Sequence, residues 1–442
     1  DLKDPTLPGE YQMTQNLQTD TKQPTNVNQT VNSEVNSSEM WVNLPWKQFE
    51  KEIYRLQRRI YKASQNEDLA KTISLQNLLL QTYSARLIAI RQVTQLNKGK
   101  KIPGIDGKRR FTNTERFQLE QKLHRQVKVW KHQGLQIVEI ESNGKTRKLK
   151  IPTFSDRAWQ YLVKLALEPA HEATFHKRND GFRPGRSPHD AQKRLFLHLR
   201  SSSNGKEKRV IELDLEKCFD PINHQTLLKK VIAPQWVKRR LKMCLNAGVS
   251  LDYADQGILQ GGVLSPLLAN IALNGIEAIH TSVRYADDMI FILKPEHKET
   301  DILKRIENFL SEHGLNSSKK KTKVTAMQTG FNFLGWHFVV RSNGKFISRP
   351  SKESYRSLKK KMKTVVNNSA HSAETKCDLL APIVREWRNY HKYCDMKKHG
   401  LWHINHSTWN KFIKQSSINR TKADELIKKA FPSVSSSVNK IC

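Results

Sequence analysis

Two adjacent carboxylates lie inside a largely apolar stretch of the chain, and this pattern restricts the fold more than any other feature. The stretch predicts a buried β-hairpin over 283–293, with Asp287 and Asp288 at its tight turn. An Asp-Asp pair alone is common at surface turns. Here the apolar flanks indicate that both carboxylates emerge together from a buried hairpin. The enclosing apolar residues are Val283, Ile290, Phe291 and Ile292.

A third carboxylate, Asp214, ends a predicted strand over 209–214. Nucleotidyl transfer uses two divalent ions, one that lowers the pKa of the attacking 3′-hydroxyl and one that neutralises charge on the leaving pyrophosphate. Mg²⁺ prefers carboxylate oxygens and takes phosphates and waters as its other ligands. Because carboxylates on adjacent strand ends can bridge two ions, Asp214, Asp287 and Asp288 predict a catalytic site that holds two Mg²⁺ ions.

The charge of the chain predicts a polyanionic partner. Lys and Arg number 76 against 42 Asp and Glu, which gives a formal net charge of +34. Nucleic acid is the favoured partner, because many phosphate contacts neutralise such an excess, and a membrane surface is the weaker alternative. No apolar run approaches the ~18–20 residues of a spanning helix. The five cysteines show no C-x-x-C spacing, which is typical of reduced thiols in a cytoplasmic location.

The chain divides into segments of different composition. Residues 1–44 are rich in Asn, Gln, Thr and Ser and are predicted to be disordered. Apolar residues at helical spacing begin near Trp46 and predict a helical extension over 45–100. The following mixture of helices and strands lacks a regular βαβ alternation and predicts an α+β domain. After Pro350 the chain is helical and basic, which predicts a helical bundle.

The carboxylates belong to an ordered series of sequence blocks. The blocks are Ile102-Pro-Gly-Ile-Asp-Gly107, Gly181-Phe-Arg-Pro-Gly-Arg-Ser187, Asp214-Leu-Glu-Lys-Cys-Phe-Asp-Pro-Ile-Asn-His224, Gln260-Gly-Gly-Val-Leu-Ser-Pro-Leu-Leu-Ala-Asn270, Tyr285-Ala-Asp-Asp288, Lys321-Thr-Lys-Val324, Phe333-Leu-Gly-Trp336 and Glu386-Trp-Arg-Asn-Tyr390. Their order over about 46–393 resembles that of group II intron-encoded reverse transcriptases, also called maturases. The resemblance implies a right-hand polymerase, with fingers and palm over 101–345 and a helical thumb (maturase) domain over 346–396. It also implies a short basic, DNA-binding-like tail over 397–442.

The resemblance assigns roles to the carboxylates. Asp214 and Asp287 would be the metal ligands, and Asp288 would support them. The backbone carbonyl of Leu215 would complete the shell of one Mg²⁺.

Other residues gain roles toward substrates from the same resemblance. Phe219 would block a 2′-hydroxyl and so select deoxynucleotides, and Gln260 would pack on the incoming nucleotide. Arg147 would contact the triphosphate, and the phosphate contact expected where Glu141 stands would be either missing or supplied by Lys145. An ordinary core aromatic at Phe219 and a solvated basic loop at Arg147 remain alternatives. The residues implied to contact RNA or primer are Arg183, Arg186, Lys321, Phe333, Gly335 and Trp336.

Some positions depart from the family pattern. Glu141 stands where Lys is usual, Leu259 and Val263 stand where Pro is usual, and the optional insertion between 270 and 283 is absent. The main alternative is therefore a splicing or RNA-binding maturase with an impaired polymerase site. An RNA-dependent RNA polymerase would share the carboxylates but would more often carry Gly before the Asp pair and a residue smaller than Phe219.

The implied partners are group II intron RNA in a ribonucleoprotein, target DNA and deoxynucleoside triphosphates. The implied setting is the cytoplasm of a bacterium, near the nucleoid during action on DNA. A metal site at His399, His403 and His406 is disfavoured, since no Cys or carboxylate completes a ligand set. The tail offers too few cysteines for an HNH endonuclease, so no bottom-strand DNA cleavage is expected. Trp402 and Trp409 could instead help to hold nucleic acid.

Overall fold

The computed structural model describes residues 37–142, 145–216, 218–247, 255–396, 406, 408–411 and 418–431. The expectations for 1–36, for Trp402 and for the histidines at 399 and 403 lie outside these residues.

The first described part of the chain is a group of helices. They are 37–42 (α1), Trp46–Gln65 (α2), Leu69–Gln81 (α3), Tyr83–Arg91 (α4) and Asn113–Gln126 (α5). Trp41 of α1 is only 2% exposed, and its ring centroid lies 5.1 Å from that of Trp46 and 5.3 Å from that of Phe117. The predicted disorder up to residue 44 is therefore wrong for α1, because a large aromatic side chain anchors this helix in the core.

The fingers continue from these helices without a break in the core. An antiparallel hairpin of β1 (Gln136–Ser142) and β2 (Lys145–Ile151) precedes the long helix α6 (Phe154–Thr174). Residues of α6 such as Trp159 and Leu162 are fully buried in the same hydrophobic cluster as Ile60 of α2 and Leu87 of α4. The predicted helical extension thus shares one core with the fingers.

The palm is a four-stranded antiparallel sheet in the order β4-β5-β3-β6. Because side chains alternate between the two faces of a strand, Ile211 and Phe291 enter the large core shared with the fingers, whereas Val210 and Ile290 enter a second core. The sheet is therefore buried on both faces. The strands are β3 (Arg209–Leu213), β4 (Ser282–Tyr285), β5 (Asp288–Leu293) and β6 (Lys323–Ala326). The helices around it are α7 (Pro188–Leu199), α8 (His224–Lys230), α9 (Gln235–Asn246), α10 (Ser265–Leu273) and α11 (Glu299–Glu312).

A second antiparallel sheet leads from the palm to the thumb. It contains β7 (Phe331–Phe333), β8 (Trp336–Val340) and β9 (Phe346–Pro350). The thumb follows as α12 (Lys352–Val366), α13 (Ala373–Tyr390) and α14 (Arg420–Ala430).

The thumb helices share a third hydrophobic core, in which Leu426 and Ile427 of α14 pack with Leu380 of α13. The expected boundary at 397 is therefore wrong for this part of the chain. The apolar face of α14 is buried only because it packs against α12 and α13, so this helix belongs to the thumb.

Two buried histidines are neutral in the folded protein. Burial lowers the pKa of His171 to about 3, with the charge of Lys238 contributing, and its Nε2 accepts a hydrogen bond from the Ile232 N–H at 3.0 Å. Burial likewise lowers the pKa of His391 to about 4, with His189 contributing. His391 lies at the junction of palm and thumb and bonds Ser354 Oγ at 2.9 Å.

We expect the unfolding free energy to fall as pH is lowered from about 6.5 toward 4. In that window the unfolded histidines bind protons that the folded ones exclude, and each contributes a slope approaching about 1.4 kcal/mol per pH unit. When unfolding free energies are measured with urea at several pH values, the free energy of His391→Gln should change less steeply with pH than that of the wild-type chain. The exposed His124→Gln is the control, and equal slopes in all three proteins would contradict the assignment.

Candidate active site

The register of the palm sheet brings three carboxylates to one end. Leu213 pairs with Met289, so the next residue, Asp214, leaves β3 where Asp288 begins β5. Tyr285 pairs with Asp288 across the β4–β5 hairpin, which puts Asp287 in the two-residue turn. The predicted hairpin and its carboxylate turn are confirmed.

The turn between β4 and β5 is held in an unusual conformation. Ala286 has φ of 58°, a left-handed value that costs an alanine about 1–2 kcal/mol. Gly181 lies directly against it, since a Cβ at this glycine would come within 2.1 Å of the Ala286 nitrogen. The first glycine of the block over 181–187 is therefore required for close packing on the carboxylate turn.

A buried polar network fixes the same turn from behind. Arg284 and Glu277 are both fully buried and form an ion pair at 2.6 Å. The Arg284 guanidinium also donates to Asn270 Oδ1 at 3.0 Å and to the Ala286 carbonyl at 3.2 Å. Asn270 Nδ2 donates to the Gly181 carbonyl at 2.7 Å. Sequence reasoning missed Arg284 and Glu277, although charged residues inside an apolar segment were a signal of buried pairing.

Asp214 is paired with a cation from the protein itself. The Lys321 ammonium donates to both Asp214 oxygens, at 2.9 and 3.2 Å. Leu215 and Ser317 form an isolated antiparallel bridge. In it the Ser318 N–H donates to the Asp214 carbonyl and the Glu216 N–H donates to the Asn316 carbonyl. These two bonds leave the Leu215 carbonyl for another ligand. Lys321 is expected from the sequence to contact RNA or primer. In this structure it is instead paired with Asp214, a predicted metal ligand.

Asp288 experiences the negative charge of its neighbours. Asp288 is exposed at the strand end, yet partial desolvation by the surrounding protein raises its pKa to about 6, and the charges of Asp287 and Asp214 add to the shift. The Lys321 ammonium balances only one of the three carboxylates, so the remaining negative charge suits a divalent cation. Hard carboxylate and carbonyl oxygens are the donors that Mg²⁺ prefers. Within the described ranges, however, no three Asp, Glu, His or Cys side chains form a ready-made metal cage.

Phe219 and Gln260 lie on segments that are joined by backbone hydrogen bonds. Phe219 is half-buried against the main core, and its carbonyl accepts the Ile258 N–H at 2.6 Å. The Gln260 carbonyl accepts the Lys150 N–H at 2.9 Å, which ties this loop to β2. The backbones of Lys145 and Arg147 belong to β2, but their side chains lie outside the described residues.

Two departures from the family pattern have a structural setting. The N–H of Val263 donates to Gln160 Oε1 at 2.9 Å, a bond that a proline could not make. Glu141 is exposed in β1, opposite Thr146 of β2.

Arg183 has a structural position rather than an RNA-facing one. Its guanidinium forms an ion pair with Glu172 at 2.5 Å and donates to the carbonyls of His176 and Asn179. Since these protein groups use its donors and the residue is buried, the expectation of direct RNA or primer contact is corrected. Arg186 pairs with the buried Asp180 at 2.8 Å and remains partly exposed.

The turn over 333–336 is joined to the thumb. Leu334 and Gly335 both have positive φ, 51° and 77°, and the Leu334 carbonyl accepts the Tyr390 hydroxyl at 2.8 Å. The rings of Trp336 and Tyr390 stack with centroids 4.7 Å apart. Trp336 is fully buried, so its side chain positions this turn, while Leu334 is half-buried and Gly335 is exposed.

Three family models match successive parts of the chain. They are the N-terminal domain of reverse transcriptase over 41–123, reverse transcriptase (RNA-dependent DNA polymerase) over 131–338, and the group II intron maturase-specific domain over 355–425. Maturase-like protein 1 of Euglena gracilis is 34% identical over 396 residues, covering 88% of this chain and 86% of that protein. The chain belongs to the group II intron maturase and reverse transcriptase family. Its mixed fold of fingers, palm and helical thumb is the one expected from the sequence.

One further curated protein and one solved structure are similar to parts of this family member. The group II intron-encoded protein LtrA of Lactococcus lactis is 31% identical over 182 residues, 39% of this chain and 30% of that protein. Apo telomerase from Candida tropicalis aligns with a TM-score of 0.39 at 13% identity, over 70% of this chain and 64% of that one. Reverse transcriptase domains generally use divalent metal ions. Among the described residues, no helix combines the length and apolarity needed to cross a membrane.

Gly181→Ala should lower the free energy of unfolding by about 3 kcal/mol, because the new methyl group collides with the backbone of the carboxylate turn. Gly185→Ala is the matched control from the same block. Gly185 has open space around it but φ of 70°, so its substitution should cost only about 1 kcal/mol. Urea unfolding measures both free energies. Equal losses in the two variants would show that the turn at Ala286 shifts to accommodate the added methyl group at little cost.

Proposed function

We propose that this protein is an RNA-directed DNA polymerase that acts with two Mg²⁺ ions. The observation that carries the proposal is the meeting of Asp214, Asp287 and Asp288 at one end of the palm sheet, where Asp288 has a raised pKa. Asp214 and Asp287 would hold the ions together with the Leu215 carbonyl, and Asp288 would support them. The ions supply activation of the 3′-hydroxyl and neutralisation of the leaving pyrophosphate.

The chain's own residues would orient the deoxynucleotide. Phe219 is half-buried against the main core and would exclude a 2′-hydroxyl by its bulk. Gln260 would pack on the nucleotide from a loop that is fixed to β2, and Lys145 and Arg147 of that strand would contact the triphosphate. The turn at Leu334 and Gly335 would support the primer end.

The template would be group II intron RNA, which the protein would also bind to assist splicing before copying it into DNA at a target site. The match to the maturase-specific domain and the net charge of +34 support this part. The alternative is a maturase that only aids splicing. Sequencing the RNA that copurifies with the full chain, followed by primer extension on a transcript of that RNA with Mg²⁺, separates the two. Bound intron RNA without any extension would favour the alternative.

Asp287→Asn should abolish primer extension and leave RNA affinity nearly unchanged, because basic surfaces and not this carboxylate supply binding energy. Extension and RNA affinity are measured side by side on the same preparation. Asp301→Asn on α11 is the control and should match the wild-type chain in both assays. A parallel loss of affinity in Asp287→Asn would defeat the separation of catalysis from binding.

Phe219→Ala should increase ribonucleotide incorporation relative to deoxynucleotide incorporation by about tenfold or more, since a lost steric contact of this size is worth roughly 1–3 kcal/mol. Single-nucleotide extension with each substrate gives the ratio. Phe309→Ala, another half-buried aromatic of the same core, is the control for general loosening. Unchanged selectivity would mean that Phe219 only packs in the core.

A further inference from the structure

The thumb contains a cavity that the proposed polymerase site does not use. Its volume is about 790 Å³, within the range of ordinary ligand pockets. It opens where the connection after α12 meets the first turns of α13 and α14. The lining residues used in the argument are Ser369, Ser372, Glu374, Lys376, Asn419 and Lys422.

Two helix N-termini meet at this cavity. Ser372 caps the 18-residue α13 by accepting the Thr375 N–H at 3.2 Å, and Asn419 caps the 11-residue α14 by accepting the Lys422 N–H at 2.9 Å. The N-terminal end of a helix carries partial positive charge and free N–H groups. Both helices therefore favour negative charge in the same space, and the Glu374 carboxylate, which accepts a backbone N–H in the first turn of α13, already supplies part of it.

Lys376 supplies a second, independent sign of an anionic ligand. The residue is 96% buried, being 4% exposed, yet it lines the cavity. Across the described residues its ammonium has neither a hydrogen-bond acceptor nor a carboxylate partner. The nearby Glu374 carboxylate is already paired with Lys422 at 2.8 Å. The stem of Lys376 packs in the thumb and its ammonium has no acceptor from the described part of the protein, so an anion in the cavity would gain a cation partner there.

We propose that this thumb cavity binds a backbone phosphate of RNA, with Lys376 as its cation and the first turns of α13 and α14 as its N–H donors. The identity of the polymer rests on the proposed RNA-binding function. A phosphodiester is favoured over a free anion because the cavity is large enough for the adjoining nucleotide and opens to solvent. The strongly basic chain would bring RNA to it.

Two substitutions test the site in the full-length chain. Lys376→Met removes the charge and keeps the apolar stem that packs in the thumb. Ser369→Asp adds a negative charge at the exposed rim without disturbing the core. Lys360→Met removes an exposed lysine of α12 outside the cavity and is the matched control.

The probes are inorganic phosphate and a transcript of the RNA that copurifies with the chain. Phosphate should raise the melting temperature of the wild-type chain above that in chloride of equal ionic strength, and this rise should vanish in Lys376→Met. RNA affinity should fall roughly tenfold in Lys376→Met and in Ser369→Asp. The slope of log RNA affinity against log salt concentration should be smaller for Lys376→Met, by the equivalent of about one phosphate contact. Lys360→Met should change affinity by about twofold or less.

The outcomes distinguish this proposal from the proposed function. RNA affinity is measured without nucleotides, so an inactive polymerase would not affect the result. The proposal would be overturned if Lys376→Met bound RNA with the affinity and salt dependence of the wild-type chain. This outcome counts when the variant also melts near the wild-type temperature. A phosphate effect that depends on Lys376 but is not accompanied by any change in RNA affinity would overturn the assignment to RNA and leave a free-anion site.

Discussion

The buried ion pair between Arg284 and Glu277 is the interaction on which the carboxylate end of the palm depends. Both side chains are completely removed from water, and removal of one partner of such a pair typically costs 3–5 kcal/mol. The same guanidinium binds the Ala286 carbonyl, and Asn270 links it to Gly181. Segments at Gly181, Asn270 and Glu277 are thereby held around one strained turn. The rigidity of the turn comes from this network, because the hairpin's own backbone conformation at Ala286 is unfavourable.

The carboxylate site of the palm and the cavity of the thumb each concentrate charge of one sign. In the palm, carboxylates are held close together and one of them has a raised pKa, so the site attracts cations, as Lys321 does. In the thumb, Lys376, Lys422 and two helix N-termini meet at one cavity, where the Glu374 carboxylate balances only part of their positive charge. Each place is unfavourable in isolation and becomes favourable when a group of opposite charge binds. A polymerase on an RNA template brings together cations and phosphates, which suits both.

Sequence patterns predicted the local elements well where the pattern was long or chemically specific. The carboxylate hairpin, the strand before Asp214 and the α+β class followed from apolar flanks and spacing. The errors were at boundaries. Trp41 was assigned to a disordered tail because its neighbours are polar, and α14 was assigned to a separate tail because its composition is basic. In both cases, burial against residues distant in sequence decided the outcome.

The sequence by itself determined the family, the three carboxylates and the order of fingers, palm and thumb, since block order and residue type are properties of a linear chain. Only the tertiary structure decided that Arg183 is used internally, that Lys321 lies on Asp214, and that Lys376 is buried without a partner. The physical reason is that the role of a basic side chain depends on which acceptors reach it. Those acceptors come from segments whose separation along the chain, 107 residues for Lys321 and Asp214, conceals their proximity.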